Sequence, residues 1–215
     1  MMQELVSEVY SLVEKQMAEL HAAAPGEIVG FDAKTGLASV QPKVMYRKPD
    51  GSMIAYPTIS GVPVVFPRSG SSVIAFPIRK GDSCLLIFAD EALDYWMYGK
   101  ETDTVLKHDL TNAIAIPGLC AASVPAMQEA CKDDAIVIAS GNNKLKVSES
   151  GIVFSGNLIV TGNISAASLS VSGNMNAETV SAGSVSASGD VTGGGVSLSK
   201  HTHRGDSGGT TSPPF

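Results

Sequence analysis

The first pattern of hydrophobic and polar positions along the chain is helical. Over residues 1–22, apolar residues recur at intervals near 3.6, while Ser and Glu occupy the rest of the wheel. This spacing predicts an amphipathic helix over 1–22, ended by the Ala-Ala-Ala-Pro-Gly run of residues 22–26. Two roles stay open for its apolar face. In the first role the helix packs on its own domain, and in the second it bundles with symmetry-related copies of the chain.

From residue 26 onward the pattern changes to short apolar runs separated by turn signals every 8–12 residues. Asp32-Ala-Lys-Thr-Gly36, Pro49-Asp50-Gly51 and Arg79-Lys-Gly-Asp82 are typical of turns. Five strands of this length favour a Greek-key barrel of the OB type over residues 23–118. The predicted strands are 26–32, 36–46, 53–59, 72–78 and 83–89.

Residues 119–150 read as a connector between two differently patterned regions. A short helix is predicted over 124–131, followed by a strand over 135–139. A turn at 140–143 leads into a strand at 144–147, and a second turn leads into Ile152-Val-Phe154.

The third pattern, over residues 151–200, is an irregular internal repeat. Its unit is an aliphatic or aromatic residue, Ser or Thr, Gly, Asn or Asp, and another aliphatic. The unit occurs as Phe154-Ser-Gly-Asn-Leu158, Val160-Thr-Gly-Asn-Ile164, Val171-Ser-Gly-Asn-Met175 and, in degenerate form, Ala187-Ser-Gly-Asp-Val191. Apolar residues alternate between the turns, which favours β-structure. The alternative is a flexible Gly/Ser linker, which has no need of regularly placed aliphatics.

A single copy of this repeat region has too little apolar mass to fold alone. Residues 151–199 hold two charged residues and no proline, and each strand offers one thin apolar edge. Three chains wound around one axis would bury these aliphatics and pair every open strand edge. The sequence therefore predicts a homotrimer whose residues 151–200 form an intertwined triple-stranded β-helix or prism.

Two histidines follow this region directly, at His201 and His203. Residues i and i+2 of an extended strand project on the same face, so the two rings should lie together. Three chains supply six imidazole nitrogens, enough for a six-coordinate ion with a structural role. Iron(II) is favoured over zinc, whose structural sites are tetrahedral. The alternative is a pair of exposed histidines near a polar terminus. The turn-rich residues 201–215 would fold back to close the tip.

The composition disfavours one class of partner and indicates the compartment in which the protein is made. The net charge is −6, and residues 1–118 carry 10 Lys and Arg against 14 Asp and Glu, which disfavours nucleic acid as a partner. Neither a signal peptide nor a membrane span is visible, so synthesis in a cytoplasm is expected. Cys84 fits a small core residue, and Cys120 with Cys131 lacks the second pair of a zinc site; a disulfide between them is the minor alternative.

Taken together, these segments resemble the central spike proteins of contractile-tailed bacteriophages, also called baseplate assembly or membrane-piercing proteins. The resemblance lies first in the barrel segments, and then in the Gly-Asn repeats and His201-Thr-His203 with the Gly/Thr/Pro tail. The barrel segments concerned are Phe66-Pro67, Phe76-Pro-Ile-Arg-Lys-Gly-Asp82, Cys84-Leu-Leu-Ile-Phe88 and His108-Asp-Leu-Thr-Asn-Ala-Ile-Ala-Ile-Pro-Gly118, the last similar to the segment that closes the family's barrel.

The resemblance implies a homotrimeric virion component at the tip of the tail tube. Its barrel would dock on the baseplate hub, and its shaft would be driven through the host outer membrane when the sheath contracts. An iron-bearing apex is implied for His201 and His203. The chain lacks any lysozyme-like insertion, so it resembles the simple, enzyme-free spikes, and its N-terminal helix has no matched counterpart.

Two other classes of function compete with a spike. An enzyme needs a nucleophile–base or paired-carboxylate constellation, whereas His21 and His108 are isolated in the sequence. A trimeric receptor-binding fibre tip should present aromatic residues, and Phe215 is the sole aromatic residue after Phe154. The equivalent spike of a phage-tail-like particle or a secretion apparatus would have the same sequence features.

Overall fold

The computed structural model describes residues 2–18, 20–48, 50–100 and 106–212. Two units are present, Met1–Leu158 and Ile159–Phe215. The helices are α1 (Met2–Ala18), α2 (Asp94–Tyr98) and α3 (Pro125–Asp133), with a 3₁₀ turn at Leu110–Asn112. The strands are β1 (Ala23–Asp32), β2 (Leu37–Pro42), β3 (Met45–Arg47), β4 (Met53–Ala55), β5 (Ile59–Pro63), β6 (Arg68–Ser69), β7 (Ser72–Val73), β8 (Ser83–Phe88), β9 (Ala113–Pro117), β10 (Ile136–Ser140), β11 (Asn143–Ser148), β12 (Gly151–Ser155), β13 (Thr192–Gly193) and β14 (Val196–Ser197).

The predicted N-terminal helix is present, but it ends at Ala18 instead of residue 22. The Ala-Ala-Pro-Gly run that was expected to stop it belongs to β1, where Ala24 packs into the core. Residues 2–17 are exposed on every side, so the helix does not pack on its own domain. None of the helices in the described ranges has the length and apolar content to cross a lipid bilayer.

Five strands of the first unit form a curled antiparallel sheet in the order β5-β2-β1-β8-β9. The sheet curls far enough for its two edge strands to approach each other. Val64, just after β5, forms a parallel bridge with Ala115 of β9, and the Val65 N–H donates to the Ala115 carbonyl at 2.9 Å. The predicted five-stranded barrel is thus present as a half-barrel.

The core of the half-barrel follows from alternation along the strands. Inward residues of β1, β2, β5 and β8 are buried, while their neighbours are exposed or half-buried. The largest fully buried side chains are Ile28, Leu86, Val40, Val62 and Cys84. The four aliphatic side chains among them each contribute about 1.5–3 kcal/mol on burial. Because all five are buried within a single chain, one chain supplies this core.

Three of the predicted strands are shorter than expected, and two of them are divided at a proline. The predicted strand 36–46 breaks after Pro42 into β2 and β3, and 53–59 becomes β4, with the sheet strand β5 beginning only at Ile59. The predicted strand 72–78 survives only as β7. Proline has no N–H to donate to a ladder, so a run containing one ends or leaves the sheet.

The connector contains α3 and a three-stranded meander, β10-β11-β12. Both the predicted helix 124–131 and the predicted strands at 135–139 and 144–147 are confirmed within one or two residues. α3 begins at a proline, which suits the first helical turn, and ends at Asp134 in the left-handed conformation. The meander places β12 beside β11, so residues 151–155 belong to this sheet.

In the second unit, regular structure is limited, among its described residues, to the short hairpin β13–β14. The repeats at 159–191 run through bends without a ladder of their own. A single chain therefore leaves the predicted prism unformed.

Candidate functional site

The meander β10–β12 has one face with two apolar rows across its three strands. Directly opposed residues of antiparallel strands share a face, and two cross-strand rows do so here. The rows are Ile136–Val147–Ile152 and Ile138–Leu145–Phe154. Ile136, Ile138 and Ile152 are 66%, 60% and 69% exposed, so no described residue covers this face. We call these six residues the open face.

The opposite side of the same sheet carries the charges. Lys144 and Lys146 alternate with the apolar residues of β11, and α3 packs on their side. The Lys144 ammonium lies 2.7 Å from both oxygens of Glu129, and the Lys146 ammonium lies 3.0 Å from Asp133. The Lys146 hydrogen bond and charge hold the pKa of the Asp133 carboxyl below its usual range. The sheet thus has one charged side, on which α3 packs, and one uncovered apolar side.

The second unit also has uncovered apolar side chains along its described length. No described residue from Ile159 to Ser212 is buried, although the segment carries aliphatic side chains at regular intervals. Ile159, Leu169 and Val185 are among the most exposed of them. Leaving so many aliphatic groups in water is unfavourable, and apolar surface of this extent usually marks an interface.

The two predicted metal ligands lie together at the end of this unit. The ring centroids of His201 and His203 are 5.0 Å apart, with the ring planes nearly perpendicular. The His201 Nδ1 lies 2.9 Å from the Ser197 carbonyl oxygen and 3.1 Å from that of Leu198. Carbonyl oxygens only accept hydrogen bonds, so this nitrogen carries the proton and Nε2 keeps a free lone pair. This is the arrangement that metal-binding histidines commonly have.

The backbone of His203 is fixed by the returning tail. The His203 N–H donates to Thr211 Oγ1 at 2.9 Å, and the Thr211 N–H donates to the His203 carbonyl at 2.9 Å. Arg204 and Thr210 form an antiparallel bridge, and the Gly205 N–H donates to the Gly209 carbonyl at 2.6 Å. The tail therefore folds back on the histidine pair as far as residue 212, beyond which the chain lies outside the described residues.

Sequence reasoning missed one residue that holds this end together, Asp190. Its carboxylate accepts hydrogen bonds from the Ser199 N–H at 3.1 Å and the Ser199 hydroxyl at 2.7 Å. Hydrogen bonding from the Ser197 and Ser199 side chains holds the pKa of Asp190 below its usual range. Asp190 thereby closes the β13–β14 hairpin that leads to His201. The available signal was the substitution of Asp for Asn in the fourth repeat.

A single chain does not provide a complete metal site. Among the described residues, no three His, Cys, Asp or Glu side chains come close enough together to hold an ion. The three cysteines, Cys84, Cys120 and Cys131, are free thiols. The histidine pair offers two ligands per chain, which fits a site shared between chains and does not fit one within a chain.

Comparison with known proteins identifies one segment. Residues 24–118, the half-barrel, match the family model of the phage protein Gp138 N-terminal domain. No curated protein matches the chain. The matched segment is less than half of the 215 residues and contains neither the open face nor the histidine pair. The half-barrel is thus similar to a domain of a phage protein, and this match supports a structural role in a bacteriophage and a place in the virion.

Proposed function

We propose that this protein is the trimeric central spike at the tip of a contractile phage tail. In this role the half-barrel docks on the baseplate hub, and residues 151–215 form the shaft and point that pierce the host outer membrane. One observation carries the proposal. The second unit carries aliphatic residues among polar ones from Ile159 to Leu198, and yet none of its described residues is buried. Two further copies wound around the same axis would supply the missing cover.

The open face supports the same assembly in the first unit. It carries six apolar side chains and no charge, so three copies can meet around an axis without bringing like charges together. The charged side of each sheet, with α3, would stay in water. Rows of buried aliphatics and shared strand edges give a thin rod its axial stiffness.

The histidine pair supports a metal-bound apex. His201 and His203 from each chain would hold the ion, with iron(II) favoured and another transition metal as the alternative. When bound, the ion would supply a structural cross-link between the chains. Within the chain, Asp190 closes the hairpin that leads to His201, and the returning tail fixes the backbone of His203.

The proposed role is mechanical and not catalytic, and the other two histidines of the chain lie in the half-barrel. The His21 ring packs edge-on against Tyr56 and Phe88, with ring centroids 5.6 Å away in both cases. His108 pairs with Asp90 at 3.2 Å. The His21 ring thus takes part in the packing of the half-barrel, whereas His108 contacts a carboxylate that is 73% exposed.

The test is the mass and metal content of the purified, untagged full chain, measured in one preparation. We expect a mass of three chains and about one iron per three chains. Replacing both His201→Ala and His203→Ala should remove the metal while most of the shaft stays trimeric. Thr202→Ala, which keeps both rings, is the matched control and should retain the metal. A one-chain mass without metal would refute the proposal.

A further inference from the structure

α2 displays three aromatic side chains to solvent. Tyr95, Trp96 and Tyr98 are all exposed, Trp96 at 72%, although aromatic residues of this size are normally covered in large part. Exposed Trp and Tyr are the residues most enriched at the centres of protein interfaces. These residues and the carboxylates that precede them, residues 90–98, form what we call the aromatic loop.

The aromatic loop is held in place by the half-barrel. Asn112, the buried polar residue at the end of the 3₁₀ turn before β9, accepts from the Leu93 N–H at 3.4 Å and donates to the Leu106 carbonyl at 2.6 Å. Its side chain thus binds the chain on both sides of α2. Gly99 ends the helix in the left-handed conformation that favours glycine. The aromatic side chains are therefore presented from an anchored base.

The charge of the aromatic loop is acidic. Asp90, Glu91 and Asp94 all lie within it, and residues 90–98 contain no Lys or Arg. Glu91 pairs with Lys107 at 2.7 Å and Asp90 with His108 at 3.2 Å, whereas Asp94 has no ion pair among the described residues. The loop thus combines aromatic faces with unneutralised negative charge.

A second exposed surface has the complementary composition. Residues 65–80, which we call the basic loop, contain three cations and no acidic residue. The cations are Arg68, Arg79 and Lys80, and none forms an ion pair with a described residue. Val73 and Ile74 are exposed between them. The loop is ordered by packing of Phe66 on Phe76, with ring centroids 5.2 Å apart, and by the Ile74 N–H donating to the Pro67 carbonyl at 2.9 Å.

The two loops lie at opposite ends of the β8–β9 pair. The aromatic loop follows the Phe88–Ala113 end, where Asn112 anchors it. The basic loop joins the Cys84–Pro117 end, where Phe76 and Ile78 share a pocket with Pro117. The six residues of β8 place about 17 Å between these ends. The loops therefore cannot cover each other within one chain.

We propose that the aromatic loop of one copy docks on the basic loop of the next copy, head to tail around the trimer. The inference rests on the trimer proposed above and adds a contact between the half-barrels. Arg68, Arg79 and Lys80 would lie against the Tyr95 and Trp96 rings and the Asp94 carboxylate, and the aliphatic residues would complete the contact. A contact between two different surfaces of identical chains forms a ring when its rotation closes.

The single tryptophan of the chain reports on this contact directly. We expect Trp96 of the purified full chain to emit at short wavelength and to resist acrylamide quenching. The test variant combines Arg68→Gln, Arg79→Gln and Lys80→Gln, far from Trp96 within a chain. It should raise the quenching constant about two-fold or more, because water reaches a side chain that a neighbour had covered. The matched control, Lys34→Gln with Arg47→Gln and Lys48→Gln, removes three exposed cations elsewhere and should leave the constant unchanged.

Mass measured on the same samples separates the two proposals. A three-chain assembly in which Trp96 is as accessible as free tryptophan would overturn the head-to-tail contact and leave the spike proposal intact. Shielding of Trp96 that survives removal of the three cations would also overturn it, since the cover would then be another surface. A one-chain mass would refute both proposals.

Discussion

The half-barrel and the second unit are built on the same alternation of apolar and polar residues, with opposite outcomes. In the half-barrel, five strands curl until the edge strands meet at Val64 and Ala115, and eleven apolar side chains are buried within one chain. In the second unit the same period-two pattern leaves its aliphatic residues exposed. Alternation specifies that a strand has an apolar face, whereas curling or a partner decides what covers that face.

The meander β10–β12 combines both outcomes, because one of its sides is covered within the chain and the other is exposed. Its charged side is covered by α3 of the same chain, through Lys144 with Glu129 and Lys146 with Asp133. Its open face is covered by none of the residues that the structure describes. Apolar side chains that the described chain leaves uncovered therefore begin in the connector, at Ile136, before the repeats start.

The largest effect is expected from a charge on the open face. Ile138→Glu would place one carboxylate per chain in the middle of the proposed trimer core, where burying an unpaired charge costs several kcal/mol. We expect the three-chain mass measured by light scattering to fall to one chain on dilution. The half-barrel should keep its unfolding midpoint.

The matched control for this change is the next residue along β10. Ala139 projects to the opposite side of the sheet and pairs with Lys144. Ala139→Glu adds the same charge beside a cation and should leave assembly intact. Equal masses for the two variants at every concentration would remove the open face from the trimer interface.

A core truncation in the half-barrel should lower the stability by an amount that does not depend on protein concentration. Leu86 of β8 is fully buried, and Leu86→Ala should lower the free energy of unfolding by about 2–5 kcal/mol. Because one chain supplies this core, the loss measured by denaturant unfolding should not change with protein concentration. Leu85→Ala, at a half-buried neighbouring position, should cost less. A concentration-dependent loss at Leu86 would mean that the half-barrel, too, depends on partner chains.

A smaller effect is expected where β1 crosses the core at Gly26. A Cβ at this position would lie 2.7 Å from Val40 Cγ1, with Leu86 and Cys84 also in close contact. Gly26→Ala should therefore destabilise the half-barrel by about 1–3 kcal/mol, measured as thermal or denaturant unfolding. Gly30→Ala in the same strand is the control, because nothing lies within 4 Å of its Cβ. That change should be neutral or stabilising by about 0.4–1 kcal/mol. Equal losses at the two positions would rule out overpacking as the cause.

Much of the half-barrel could be predicted from sequence because its determinants are local. The strands 26–32 and 83–89 and the turns between strands follow from alternation and turn residues. The errors at 36–46 and 53–59 share one cause, since Pro42 and Pro57 interrupt runs that hydrophobicity alone joins. β9, by contrast, was expected only from resemblance to a known barrel.

The candidate site was predictable in part for a different reason. The proximity of His201 and His203 follows from their spacing and is confirmed by the 5.0 Å between their rings. The role of Asp190 depends on a hairpin that brings Ser199 back to it nine residues later, which no periodicity reveals. The open face required the register of three strands, since the relevant residues are neighbours only across the sheet. The trimer and the ion stay predictions.

The smallest effect on stability is expected from the titration of Cys84, which is buried in the core of the half-barrel. Burial raises the pKa of its thiol to about 11 from an ordinary value of 9.0, because the thiolate would lose its hydration. Between these two values the unfolded chain binds fewer protons than the folded one, so the free energy of unfolding should fall as pH rises through this window.

The burial of Cys84 also predicts its reactivity. At neutral pH the folded protein should protect Cys84 from iodoacetamide, whereas Cys120 and Cys131, which are exposed in the single chain, should be modified. Mass spectrometry of the labelled peptides gives the pattern, and Cys84→Ser, which removes the titrating thiol, should flatten the loss of stability above pH 9. Rapid labelling of Cys84 at neutral pH would mean that the half-barrel opens readily, and its contrast with the uncovered second unit would then be one of degree.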